Sequence, residues 1–310
     1  MFNIKRPLSN LKPLVCGGVS LVLLSSAIVI HVFQGSKPLA AAQTACDGRI
    51  PGGSIVVAGG GCVTVEIRQR FFELAGGSKA RIVVIPATDP APGTEESWLA
   101  PWRKVGATHV ELCNAPDRAT ANTAEFCAAL SQATGVWFSG GYQDFLAERY
   151  VDTAVQKCLH EVLRRNGVVG GCSAGAAILS RVMIQEGENQ PVEARGLDLI
   201  PDAVVDQHFL QRNRLWRMQL MLEAHPNLVG LGIDEDTALV FEVRTERLSV
   251  VGENYALVCV PPLGGHSART EVLHAGDSVL LSQLRTKHLA YQPPKNSNGP
   301  QTQAVALHSA

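Results

Sequence analysis

Gly170-Gly171-Cys172-Ser173-Ala174-Gly175-Ala176-Ala177-Ile178 is the most informative stretch of this chain. Val168-Val169 leads into it, and the run over 174–179 that leaves it is rich in helix formers. A strand that feeds a helix through glycines turns sharply and lifts the middle side chain, here Ser173, above the fold. Small flanking residues let a substrate approach the backbone. G-x-S-x-G also fits an ordinary Gly-rich strand-to-helix turn, so the rest of the chain has to supply partners for the serine.

The surrounding pattern alternates. Residues 54–58 read as a strand ending in Gly59-Gly60-Gly61, and 65–74 have helical spacing. Residues 80–86 and 135–139 are short apolar runs of the kind that form strands covered on both faces. Helices are expected over 97–105, 119–132, 143–165 and 211–224, and extended segments over 108–112, 167–171 and 228–233. Residues 185–195 read as a polar loop. Strand and helix in this alternation predict an α/β fold with a mostly parallel, doubly wound sheet. From 238 on, short strands at 238–243, 248–252 and 255–260 predict a small antiparallel β addition at the C-terminal side.

The ends read differently. Lys5, Arg6 and Lys12 precede a mostly apolar run, and Leu39-Ala40-Ala41-Ala42 follows it. This pattern predicts a signal peptide or signal anchor over 1–36, and so an exported domain that is periplasmic, extracellular or held at a membrane. Residues 37–53 read as a linker, 54–291 as the α/β domain and 292–310 as a disordered tail. The net charge of −1 gives no basic footprint for nucleic acid. Of the 8 cysteines, Cys16 lies in the apolar run, which leaves an odd number for an exported domain and so at least one free thiol or intermolecular bond. Neither C-x-x-C nor H-E-x-x-H occurs, and no metal or cofactor is expected.

In an open α/β sheet, ligands bind beyond the carboxyl ends of the strands. Gly140-Gly141-Tyr142-Gln143, Asp206-Gln207-His208 and Asp234-Glu235-Asp236 fall at such ends together with the elbow. A serine hydroxyl needs a base within hydrogen-bond reach, and an imidazole backed by a carboxylate supplies one. His208 fits the first role. Glu235 fits the second, although Asp234 and Asp236 serve equally on chemistry alone.

With these residues in place the chain resembles the cyanophycinase group of the S51 serine peptidases, related to the aspartyl dipeptidases called peptidase E. The resemblance runs over about Gly53 to Val260. It rests on Phe72-Glu73-Leu74-Ala75-Gly76-Gly77, Ala80-Arg81-Ile82-Val83-Val84-Ile85-Pro86, Phe138-Ser139-Gly140-Gly141, the elbow, Val205-Asp206-Gln207-His208-Phe209 and Gly232-Ile233-Asp234-Glu235-Asp236-Thr237. It implies a flavodoxin-like sheet of the class I glutamine amidotransferase kind and a triad of Ser173, His208 and Glu235, which selects Glu235 among its acidic neighbours. It also implies hydrolysis of aspartyl or β-aspartyl-arginine peptides such as cyanophycin, a poly-aspartate with arginine on each side-chain carboxylate. Gln143, Asp206, Gln207, Arg212, Arg214 and Arg217 match family positions around that substrate. Guanidinium forks suit the carboxylates of such a backbone. Asp206 is expected either to pair with a substrate guanidinium or to serve the base. Backbone N–H groups at Gly141 and Ala174 are expected to hold the oxyanion. A homodimer is expected.

The chain departs from the family pattern at Tyr142, where Asp or Asn is usual, and at Ala147, where a basic residue is usual and Arg149 stands near. Leu215-Trp216 replace small residues. All three changes touch the pocket rather than the triad. Two other readings share the elbow. An α/β-hydrolase-type esterase would run Ser, acid, His, using Asp234 with His266 or His274. A catalytically inactive, membrane-anchored peptide-binding homologue would keep the fold without the reaction. A Cys172 nucleophile is disfavoured, because the elbow aims that side chain away from the site.

Overall fold

The computed structural model describes residues 52–187, 190–200, 202–261 and 268–284. The N-terminal signal or anchor, the linker up to residue 51, Cys16, Cys46, His266 and the C-terminal tail lie outside the described residues. Among the described residues no helix is long and apolar enough to cross a membrane.

In chain order the first half runs β1 (Ser54–Ala58), α1 (Val65–Leu74), β2 (Arg81–Ala87), α2 (Glu95–Lys104), β3 (His109–Leu112), α3 (Ala124–Gln132), β4 (Gly135–Gly141), α4 (Gln143–Tyr150), α5 (Ala154–Arg164), β5 (Val168–Cys172) and α6 (Ala174–Ala177). The second half runs β6 (Val182–Glu186), β7 (Val192–Arg195), β8 (Ala203–Gln207), α7 (Leu215–Ala224), β9 (Val229–Ile233), β10 (Thr237–Glu242), β11 (Arg247–Gly252), β12 (Tyr255–Val260), β13 (Arg269–His274) and β14 (Ser278–Leu280).

The main sheet has the order β14-β11-β10-β1-β5-β4-β2-β3. Its five strands from β1 to β3 are mutually parallel, and β10, β11 and β14 continue it antiparallel. This is the mixed α/β architecture that the alternation predicts. Period-2 alternation within each strand serves two cores. Ile55 and Val57 of β1 face one side with Phe126 of α3 and Val162 of α5, while Val56 and Ala58 face the other with Phe71 of α1 and Trp102 of α2. Both sheet faces are covered, which is why these strands read as unbroken apolar runs. Helix starts are set by side-chain caps: Thr64 accepts from Ile67 N–H and Thr123 from Phe126 N–H.

The C-terminal strands divide between two sheets. β10, β11 and β14 extend the main sheet, whereas β8, β9, β12 and β13 form a second sheet in the order β13-β12-β9-β8. Only β8 and β9 are parallel there. Helix α7 packs on this sheet through Met218 and Met221 against Val204 and Leu257.

Several local expectations are revised. The helix expected over 143–165 is two helices. Val151 is extended, Asp152 has φ 58°, and Thr153 Oγ1 donates to Tyr150 O at 2.7 Å, which ends the first helix and lets the second begin. The helix expected from 119 begins at Ala124, after a turn of 3-10 helix at Thr120–Asn122. That expected from 211 begins at Leu215, because Asn213 sits at φ 48°. The polar loop expected at 185–195 is largely the hairpin β6–β7.

Candidate active site

Strand β5 ends at Cys172, and the chain turns at Ser173 with φ 53° and ψ −115° before α6 begins. A non-glycine residue in this conformation is strained, by about 1–3 kcal/mol, and persists only where its surroundings hold it. Here Ser173 N–H donates to Ala58 O of β1 at 3.0 Å. Close packing fixes the helix behind it: a Cβ on Gly171 would lie 2.1 Å from Gly175 O. Cys172 is buried, and burial pushes its thiol up to about 12. It is a neutral core group and no nucleophile.

His208 follows β8, also at positive φ, 49°. Its N–H donates to Gly59 O at 2.7 Å, which ties the second sheet to the tip of β1. Its Nε2 lies 2.8 Å from Ser173 Oγ, and its Nδ1 lies 2.5 Å from Glu235 Oε1. A carboxylate accepts only, so Nδ1 carries the proton and Nε2 presents its lone pair to the serine hydroxyl. Burial lowers the His208 pKa, the Glu235 hydrogen bond and charge raise it, and the Arg212 and Arg214 charges lower it again; the net direction is down. The imidazole is therefore neutral at neutral pH and able to accept a proton.

The choice among three acidic residues is resolved by direction. Asp234 Oδ1 accepts from Leu210 N–H at 2.6 Å, and Asp236 Oδ1 accepts from Cys62 N–H at 2.9 Å. Only Glu235 reaches His208. It is held in turn by Asn254, whose Nδ2 donates to Glu235 O at 2.9 Å, and by Gln211, whose Oε1 accepts from Glu235 N–H. The order Ser, acid, His is not the one observed: His274 lies at the end of β13, edge-on to Tyr255 at 4.9 Å.

A cavity of about 290 Å³ opens beside Ser173. Gly141, Gln143, Gln207, Arg212, Arg214 and Arg217 all line it. Gln185, Glu186 and Gly187 of the β6–β7 hairpin form its far wall, a contribution that reading 185–195 as a loop hid. Asp206 differs from expectation. It is buried under the cavity, where Arg217 Nε donates to its Oδ2 at 2.7 Å and Arg217 Nη2 to its Oδ1. Arg214 Nη1 approaches the same carboxylate at 3.4 Å and donates to Gln207 Oε1 at 2.9 Å. Asp206 thus anchors the arginines, and the carboxylate behind the base is that of Glu235. Burial lowers the Arg214 pKa to about 10, still charged at neutral pH. Arg149 does not replace the missing basic residue at 147. It pairs with Asp89 at 2.8 Å and lies over the Phe145 ring, while Ala147 packs against the core.

Gly141 closes β4 beside the elbow, with φ 152°. Ala174 opens α6, where helix N–H groups have no intrahelical acceptor. Among the described residues no cluster of His, Cys, Asp and Glu has the arrangement of a metal site, and the six described cysteines form no disulfide.

The model of peptidase family S51 matches residues 55–248. The chain belongs to peptidase family S51. Cyanophycinase from Synechococcus elongatus is 35% identical over 255 residues, covering 74% of this chain and 79% of the relative. That from Trichormus variabilis is 34% identical over 242 residues, covering 70% and 81%. Among solved structures, a peptidase from an acI-B1 Actinobacterium superposes with a TM-score of 0.59 at 25% identity, covering 76% of this chain and 98% of that one. The chain is therefore a hydrolase acting on peptide bonds, a serine-type exopeptidase with the flavodoxin-like fold of S51 peptidases.

Gly60 is a site residue of this S51 peptidase that sequence reasoning passed over. It has φ 124°, and a Cβ there would lie 2.0 Å from His208 Cε1. The Gly59-Gly60-Gly61 triplet was the available signal, but nothing local says which side chain it backs.

Proposed function

We propose that Ser173, His208 and Glu235 are the catalytic triad of an aspartyl-peptide hydrolase acting through an acyl-enzyme. The observation that carries this reading is the unbroken relay from Ser173 Oγ through His208 to Glu235, at 2.8 and 2.5 Å. Ser173 Oγ attacks the peptide carbonyl carbon as His208 Nε2 takes the hydroxyl proton. The C–N bond then breaks, and the imidazolium returns that proton to the leaving amine. Water, deprotonated by the same imidazole, attacks the ester carbonyl, and the imidazolium returns that proton to Ser173 Oγ as the ester bond breaks. Glu235 fixes the imidazole tautomer and stabilises its charged form. The N–H groups of Gly141 and Ala174 receive the oxyanion, each worth about 10²–10³ in rate.

The cavity supports this substrate class. Arg212, Arg214 and Arg217 carry three positive charges, Asp206 beneath them offsets one and Glu186 on the far wall another, so the arginine side keeps a net positive charge that suits the carboxylates of an aspartyl backbone. The relatives named cyanophycinase favour β-aspartyl-arginine units on that backbone. The test is to incubate the full chain with cyanophycin and with α- and β-aspartyl dipeptides and to identify products by mass. Release of β-aspartyl-arginine, abolished by Ser173→Ala, is expected. Ser173→Ala protein with full activity sinks the triad, and cleavage of α-aspartyl dipeptides alone sinks the cyanophycin assignment.

A further inference from the structure

A second cavity, of about 390 Å³, adjoins the first across the strand tips. Gly140 and Gly141 are consecutive, and so are Cys172 and Ser173. Gly140 and Cys172 line the second cavity, whereas Gly141 and Ser173 line the arginine-rich one. The ends of β4 and β5 thus form a sill between the two, with the nucleophile on it. A peptide that crosses the sill at Ser173 has one side in each cavity.

The second cavity differs chemically from the first. Trp98, Trp102 and Trp137 form its apolar wall, and Trp102 and Trp137 are held rigid by mutual contact at 5.2 Å and by Phe71. Its one charged lining residue is Arg68, half-buried on α1. The Arg68 guanidinium donates to Val63 O, and no carboxylate among the described residues pairs with it. Cys172, also in the wall, is a neutral thiol. Burial lowers the Arg68 pKa, and only the Cys172 and Cys62 thiols, not a carboxylate, work against this among the described residues. A half-buried cation without a counter-charge, set in an aromatic wall, matches a ligand that brings both a carboxylate and an apolar or aromatic group.

We infer that the tryptophan-lined cavity is the subsite for the C-terminal residue of the peptide, its free carboxylate on Arg68 and an apolar or aromatic side chain on the tryptophans. The placement of this subsite relative to the scissile bond rests on the function proposed above; the binding chemistry does not. A carboxylate requirement suits an exopeptidase, since it admits chain ends and rejects internal segments.

The experiment reads binding and turnover separately. Full-length Ser173→Ala protein is titrated with N-acetylphenylalanine and with its amide, followed by tryptophan fluorescence. Saturable binding is expected, at least about 10-fold tighter for the acid than for the amide, the value of a charge-assisted contact. In Arg68→Gln, combined with Ser173→Ala, the acid-to-amide ratio is expected to fall to within about twofold. Trp98→Ala is expected to weaken acid and amide alike. In the active chain, KM for β-aspartyl-phenylalanine is expected to rise about 10-fold in Arg68→Gln with kcat held. Absence of saturable binding, or an acid-to-amide ratio unchanged in Arg68→Gln, overturns the subsite. Binding as expected without hydrolysis of any aspartyl peptide leaves the subsite in place and refutes the proposed substrate class instead. Thermal melting of each variant separates lost binding from lost fold.

Discussion

Gly60→Ala is the most direct test of how the site is held together. A Cβ at position 60 would stand 2.0 Å from His208 Cε1 and 2.5 Å from both ring nitrogens. Carbon atoms in contact sit about 3.5–4.0 Å apart, so the ring has to retreat by about 1.5 Å. The Ser173 Oγ to Nε2 distance starts at 2.8 Å. The same retreat takes it past the roughly 3.2 Å limit of a useful hydrogen bond. Misplacement on this scale costs about 10²-fold in rate. The backbone adds a separate cost, because Gly60 has φ 124°. An alanine held there loses about 1–3 kcal/mol. Gly93→Ala separates the two effects. Gly93 also has positive φ, 81°, but nothing lies within 4 Å of its would-be Cβ. It carries the conformational cost without the collision. The assay is kcat/KM on an aspartyl peptide, together with the rate at which a fluorophosphonate probe labels Ser173. Gly60→Ala is expected to lose about 10²-fold in both, whereas Gly93→Ala stays within about twofold while melting at a lower temperature than the unsubstituted chain. A folded Gly60→Ala protein within about threefold of the unsubstituted chain would refute the claim that this glycine exists to seat the imidazole.

Three further outcomes follow from the same geometry. His208 has a lowered pKa, so kcat/KM is expected to climb with pH as the imidazole loses its proton and to level off above a midpoint below the reference value of about 6.5; Glu235→Gln removes the negative charge that raises this pKa and leaves at most a neutral hydrogen bond, so the midpoint moves to lower pH while the plateau drops about 10²–10⁴-fold, and a pH–rate profile shifted upward contradicts it. Asp206→Asn leaves Arg217 buried without a counter-charge and is expected to cost about 3–5 kcal/mol in urea unfolding, whereas Arg214→Gln, which leaves the Asp206–Arg217 fork intact, is expected to cost less than Asp206→Asn and to act on KM. Cys62 is exposed at the rim of the tryptophan-lined cavity while Cys113, Cys172 and Cys259 are buried with their thiols pushed up, so a maleimide is expected to modify Cys62 ahead of those three and to raise KM without slowing fluorophosphonate labelling of Ser173; mass mapping that finds Cys172 modified first contradicts the burial assigned to it.

Strands covered on both faces were the most legible part of the fold, because their apolar runs are short and bounded by turn-forming residues such as glycine, asparagine or proline. Residues 54–58 and 255–260 match observed strands, and 65–74 matches an observed helix. What stayed hidden depends on long-range pairing. Nothing between 203 and 260 says that β8 and β9 leave the main sheet while β10 rejoins it beside β1; that partition is a matter of which edges are free after the parallel strands have packed. Breaks inside helical patterns were equally opaque. Val151-Asp152-Thr153 continues the apolar period of its neighbours, and the break comes from a left-handed Asp152 together with the Thr153 hydroxyl.

The candidate site shows the same division for a physical reason. Ser173 and His208 were readable because chemistry restricts a nucleophile and its base to few residue types at strand ends. Their meeting was not, since it requires both residues to leave ordinary backbone space, at φ 53° and 49°. Neither conformation is favoured by its own sequence, and each costs about 1–3 kcal/mol taken alone. Each is held by a backbone bond to the tip of β1, Ser173 N–H to Ala58 O and His208 N–H to Gly59 O. Two consecutive carbonyls of one strand end therefore fix both partners of the 2.8 Å contact. Asp206 fits the same principle in reverse. Local chemistry left its role open, and burial decides its place: a carboxylate with both oxygens inside an arginine fork and almost no exposed surface lies beneath the cavity wall, so the charge presented to a substrate is that of the arginines it holds.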